Sequence, residues 1–121
     1  KHGYNRYPEP GQRAIKDRIS KLKGVDPDRI FIGNGSDEAI DLLMRVFCRP
    51  GRDKVMTMPP TYGMYAVAAG VNDAHVIEVP LTTAFDIDTD AVLTAADDYT
   101  KLIFVCSPNN PSGNVMSEDR A

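Results

Sequence analysis

Apolar runs that stop at glycine or proline, each next to a segment with helical spacing, set the main limit on what this chain can fold into. Leu102-Ile103-Phe104-Val105-Cys106 has no polar alternation, so it reads as a strand buried on both faces, the environment of a parallel sheet covered by helices. Val55 to Met58 is a second such run, closed by Pro59-Pro60. His75 to Val79 is a third, and Ile30-Phe31-Ile32 is a short fourth that ends at Gly33-Asn34-Gly35. Ile15, Ile19 and Leu22 repeat at i, i+4, i+7, with Gly24 where a C-terminal cap belongs, which predicts a first helix. An Asp26-Pro27-Asp28 turn follows it. Ser36 reads as the cap of a second helix carrying Ile40, Leu43, Met44 and Phe47, stopped by Pro50-Gly51. Tyr62 to Ala69 predicts a third helix, and Asp88 or Thr89 caps a fourth that runs to about Ala96. Strands alternating with helices predict an α/β domain with a mainly parallel sheet and flanking helices over 12–121. Pro8 and Pro10 bar a helix before it and predict an extended arm over 1–11.

Composition narrows the function classes. With 121 residues, 42% of them hydrophobic, the chain is sized for one domain with a real core. A net charge of -3 with interspersed signs offers no basic stripe for nucleic acid and no polybasic run for a membrane surface. A small-molecule ligand fits better. No apolar stretch is long enough to span a bilayer, and KHGYNRYP lacks the apolar segment of a secretory signal, which predicts a cytoplasmic protein. Cys48 and Cys106 are far apart, with no CxxC spacing and no histidine cluster. We read them as reduced core residues and expect no metal site. The methionines read as core filling. The chain begins without Met and stops at SEDRA, where Ser117, Glu118 and Asp119 look like the start of a helix, so the sequence reads as a fragment of a longer protein.

In an open α/β sheet, ligands bind beyond the carboxyl ends of the strands. Three segments fall there: GNGSDE at 33–38, PPTYGMY at 59–65 and SPNNPSG at 107–113. In the first, the amides of Gly35, Ser36 and Asp37 are unpaired donors at a helix start, suited to an anion such as phosphate. Alone, the same residues make a tight turn and a cap. Glu38 stands where a dinucleotide fingerprint needs its third glycine, and no P-loop GK[ST] follows. Tyr62 and Tyr65 can stack on a planar ring or pack under the next helix. Asn109 and Asn110 can hydrogen-bond a ligand without attacking or titrating, or can simply form an Asn-Pro turn. His2 and His75 lack partners at a catalytic spacing.

Taken together, NRYPEP at 5–10, GNGSDEAIDLL at 33–43, PPTYGMY at 59–65 and SPNNPSG at 107–113 resemble the fold type I pyridoxal-phosphate-dependent aminotransferases. NRYPEP with PPTYGMY points to their histidinol-phosphate branch. The resemblance runs along essentially the whole chain and implies that 12–121 is part of the large, cofactor-binding domain. It implies that Gly35, Ser36 and Asp37 hold the cofactor phosphate, that Tyr62 stacks on the pyridine ring, and that Asn110 donates to the phenolic oxygen with Asn109 as its support. It also implies that Tyr7 reaches the cofactor phosphate of a neighbouring subunit in a homodimer. The implied reaction moves an amino group from L-histidinol phosphate to 2-oxoglutarate, giving imidazole-acetol phosphate and glutamate.

That chemistry needs a Schiff-base lysine, an aspartate against the pyridine nitrogen and substrate-binding arginines, all of which follow SPNNPSG in the family. No catalytic role is carried over to Lys1, Lys16, Lys21, Lys23, Lys54 or Lys101, and the chain alone is expected to be inactive. Family strands that come later lie between those present here, so gaps or newly exposed edges in the sheet are expected, with repacked strand neighbours or association between chains. Fragments of an aromatic-amino-acid aminotransferase or a phosphothreonine decarboxylase would share most of these motifs. A non-catalytic phosphate-binding module and a regulatory or assembly domain are the readings from other classes.

Overall fold

The computed structural model describes Tyr7 and residues 9–116, so Lys1, His2 and the helix start expected at Ser117 lie outside the described residues. The chain divides into two compact units, Lys1–Asn34 and Gly35–Ala121.

In the first unit, α1 (Arg13–Lys23) ends at Gly24, whose left-handed backbone (φ 68°) lets its N–H reach the Ser20 carbonyl. A 3-10 turn over Pro27–Arg29 follows, closed by the Asp26 carboxylate accepting from the Asp28 N–H. Arg13 pairs with Asp28 at 2.8 Å. The expected strand at Ile30-Phe31-Ile32 does not form. Ile30 is extended, but the segment joins no ladder among the described residues, and Phe31 is exposed. An apolar triplet is a strand only where a neighbour supplies its hydrogen bonds.

The second unit holds α2 (Ser36–Phe47), β1 (Lys54–Thr57), α3 (Met64–Val71), β2 (His75–Glu78), α4 (Thr89–Ala95) and β3 (Thr100–Ile103). Both pairings are parallel, and the order β2-β1-β3 puts β1 in the middle. The expected gaps are absent from this sheet: the strands are direct neighbours, with one irregularity between Lys54 and Val55. Asp88 caps α4 by accepting from the Ala91 N–H. The third helix starts at Met64, two residues later than its sequence predicts.

β1 explains the core. Val55 faces Ile40 and Met44 of α2 and Tyr65, Ala68 and Ala69 of α3. Met56 faces the other way, toward Val79, Leu81, Ile87, Met116 and Val92 of α4. A central strand covered on both sides needs no polar alternation, which is why VMTM reads as a continuous run. The same expectation fails for Leu102–Cys106. β3 ends at Ile103, and Ile103 and Val105 are exposed while Leu102, Phe104 and Cys106 pack on the α2–α3 side. An edge strand covered on one face alternates in burial even when its sequence does not.

At the amino end of β1, the Asp53 carboxylate is 1% exposed and accepts from the Arg49 backbone N–H, Nε and a terminal guanidinium nitrogen at 2.8, 2.8 and 2.9 Å. Hydrogen bonding to Arg49 holds it far below the usual carboxylate range. Both cysteines are free, Cys48 in the core and Cys106 half-buried.

Candidate functional site

α2 opens onto a bare helix start. Gly35 occupies the cap position with φ 86° and ψ 175°, a region adopted essentially only by glycine. Ser36 is therefore the first helical residue rather than the cap its sequence predicts, and Gly35 brings no side chain to cap the helix. A Cβ on Gly35 would meet nothing within 4 Å, and Gly35, Ser36 and Asp37 are all exposed. The helix dipole favours an anion at this exposed start.

The Tyr62 hydroxyl donates to Asp37 Oδ1 at 3.0 Å, across 25 residues of chain. That hydrogen bond, helped by desolvation, raises the Tyr62 phenol above its ordinary value. The Tyr62 ring meets Tyr65 edge-on, with centroids 5.6 Å apart and an angle of 85°. Tyr65 is buried and stacks on Phe104 at 4.7 Å, and burial pushes its phenol up to about 12. Of the two tyrosines weighed from the sequence, Tyr65 is core and Tyr62 stands at the rim.

The adjacent asparagines also separate. Asn109 is 3% exposed. Its amide donates to the Pro60 carbonyl at 2.9 Å and to Ser112 Oγ at 2.6 Å, and its Oδ1 accepts from Thr61 at 3.1 Å. Its backbone N–H reaches Asn114, and its carbonyl accepts from Gly113. The Ser112 hydroxyl donates to Asn114, whose amide holds the Phe85 carbonyl at 2.6 Å. Asn110 is exposed, and its side chain hydrogen-bonds to none of the described residues. Tyr7 lies in the other unit and is fully exposed.

Residues 59–62 therefore join the two other loops: Tyr62 is tied to α2 through Asp37, and Thr61 and Pro60 to the loop after β3 through Asn109. Sequence reasoning assigned Asp37 only its backbone amide and missed Thr61 altogether. Their partners lie 25 and 48 residues away, and no local pattern marks them.

The chain matches the model of the family "Aminotransferase class I and II" over residues 1–120. The chain belongs to that family. This aminotransferase chain is 60% identical over 116 residues to histidinol-phosphate aminotransferase of Cytophaga hutchinsonii, covering 96% of the chain and 33% of the relative. It therefore spans about a third of the length of the curated relatives it matches. Its fold overlays N-succinyldiaminopimelate aminotransferase from Mycobacterium tuberculosis with a TM-score of 0.82 at 30% identity, covering 98% of this chain and 33% of that one. It also overlays histidinol-phosphate aminotransferase from Sinorhizobium meliloti, solved in complex with pyridoxal-5'-phosphate. There the TM-score is 0.80 at 22% identity, over 90% of this chain and 29% of that one. The α/β architecture is that of fold type I aminotransferases, which are pyridoxal-phosphate enzymes. The donor set suits such a group: open helix-start amides for a phosphate, an anchored aromatic for a ring, and a neutral amide for a ring oxygen. Among the described residues, no helix is long and apolar enough to cross a membrane.

Proposed function

We propose that the chain forms part of the cofactor cradle of a cytoplasmic, pyridoxal-phosphate-dependent histidinol-phosphate aminotransferase. The whole enzyme transfers the amino group of L-histidinol phosphate to 2-oxoglutarate. The single observation that carries the cradle is the Tyr62–Asp37 hydrogen bond, which fixes an aromatic ring beside the uncapped start of α2. Identity to histidinol-phosphate aminotransferases over nearly the whole chain supports the substrate.

Gly35, Ser36 and Asp37 bind the phosphate through their N–H groups, with the Ser36 hydroxyl as a further donor. Tyr62 lies against the ring. Asn110 donates to the phenolic oxygen and, being neutral, stabilises negative charge there without taking a proton. Asn109 holds Asn110 in place from its buried position. Tyr7, exposed and free of the core, serves the phosphate of the neighbouring subunit in a homodimer. The residues 1–11 act as an arm, and 12–121 as part of the cofactor domain. When bound, pyridoxal phosphate would supply an aldehyde carbon to carry the amino group and an electron-withdrawing ring to stabilise the charge that develops beside it.

In 35–121 the lysines are Lys54 and Lys101, at the starts of β1 and β3. Their Nζ atoms bond the Asp97 carboxylate and the Asp98 carbonyl, each at 2.5 Å. That is the end of the parallel strands opposite the loops at 59–62 and 107–113. Neither is placed to serve the cradle, and the 121-residue chain alone is expected to hold the cofactor without turnover. Glutamate formed beyond one equivalent from histidinol phosphate and 2-oxoglutarate would contradict this. For the full-length protein, amino transfer from histidinol phosphate is expected to exceed that from aromatic amino acids, and the reverse preference would replace the substrate assignment.

A further inference from the structure

We propose that the Asp37 side chain is a positioning residue: its carboxylate, as distinct from its backbone N–H, locks the Tyr62 ring in the orientation that receives a flat ligand. This rests on the cradle reading above. Tyr62 is fixed at two points, its hydroxyl on Asp37 Oδ1 at 3.0 Å and its ring against the edge of Tyr65. Tyr65 is itself buried and stacked on Phe104. The ring contact leaves rotation about the Tyr62 side-chain bonds open, and the hydrogen bond at the far tip removes it. A ring already held in place avoids the ordering cost of binding.

The placement also bears on competition for the helix-start donors. Asp37 sits in the first turn of α2, where a free carboxylate would compete with a phosphate for the same N–H groups. Bonded to Tyr62, its oxygen is directed to a phenol instead. Asp37 thus contributes an N–H to the anion site and an oxygen to the aromatic.

The test compares Asp37→Asn, which keeps an acceptor and removes the charge, with Asp37→Ala, which removes both. Pyridoxal phosphate binding to the 121-residue chain is measured by equilibrium dialysis, and the Tyr62 phenol by ultraviolet pH titration against a Tyr62→Phe baseline. Helix content by circular dichroism confirms the fold of each variant. We expect Asp37→Ala to bind about 3- to 10-fold more weakly than Asp37→Asn, and its phenol to titrate at lower pH than in the unaltered chain. On the Tyr62→Phe background the two Asp37 variants should bind alike, because the donor is gone. Equal binding by Asp37→Ala and Asp37→Asn with Tyr62 present, or an unmoved phenol titration, overturns the inference and leaves the cradle reading intact. Failure of the unaltered chain to bind pyridoxal phosphate overturns both.

Discussion

The loop after β3 and the start of α2 are joined to the same short stretch, residues 59–62, yet they use their polar groups in contrasting ways. Around Asn109 the donors and acceptors are turned inward, onto Pro60, Thr61, Ser112, Gly113 and Asn114. Gly35 and Ser36 are exposed, and Gly35 brings no side-chain cap to the helix they open. Buried polar groups must be paired within the protein, whereas exposed ones can wait for a ligand. On the proposed cradle reading the contrast separates scaffold from binding surface, with buried Asn109 on one side and exposed Asn110 on the other.

Substitutions can break that contrast. Asn109→Ala should have the largest effect on stability. It deletes three side-chain hydrogen bonds in a buried position and should cost about 3 kcal/mol in urea-induced unfolding, and a loss under about 1 kcal/mol would mean that the loop is held by its backbone alone. Gly35→Ala comes next, at about 2 kcal/mol. A new Cβ there meets no neighbour, so any cost comes from the positive φ. Thr61→Val keeps the shape but strips the hydroxyl from Asn109 Oδ1, and should cost about 1 kcal/mol. Asn110→Ala should be the smallest in stability, within about 0.5 kcal/mol of the unaltered chain as an exposed substitution, while weakening pyridoxal phosphate in a binding titration. Should Asn110→Ala unfold the chain as readily as Asn109→Ala, the division between scaffold and surface would be wrong.

Much of the architecture was legible in the sequence because it depends on local rules. Gly24 after a helical stripe, Asp88 before a helix and the proline stop after β1 all act within a few residues. The errors came where the outcome depends on a distant neighbour. Ile30-Phe31-Ile32 has a strand's composition but no paired strand among the described residues, and Ile103 and Val105 have a core composition on an uncovered face. The site followed the same division. Gly35, Ser36, Tyr62 and Asn110 were identifiable as loop residues beyond strand ends or at a helix start. That Asn109 would be buried while Asn110 stays exposed could not be read from NNP, since both are amides next to each other. The Asp37–Tyr62 pair was equally hidden, because nothing in either local sequence encodes a contact 25 residues away.

Thr61 and Tyr62 are covalent neighbours whose hydroxyls bond to different parts of the molecule. Their spacing along the backbone is therefore a fixed tolerance. Chemical replacements at either position can be accommodated one at a time. Inserting or deleting a single residue between Pro60 and Gly63 would shift one hydroxyl out of reach whenever the other is satisfied, so this dipeptide should accept changes of identity far better than changes of length.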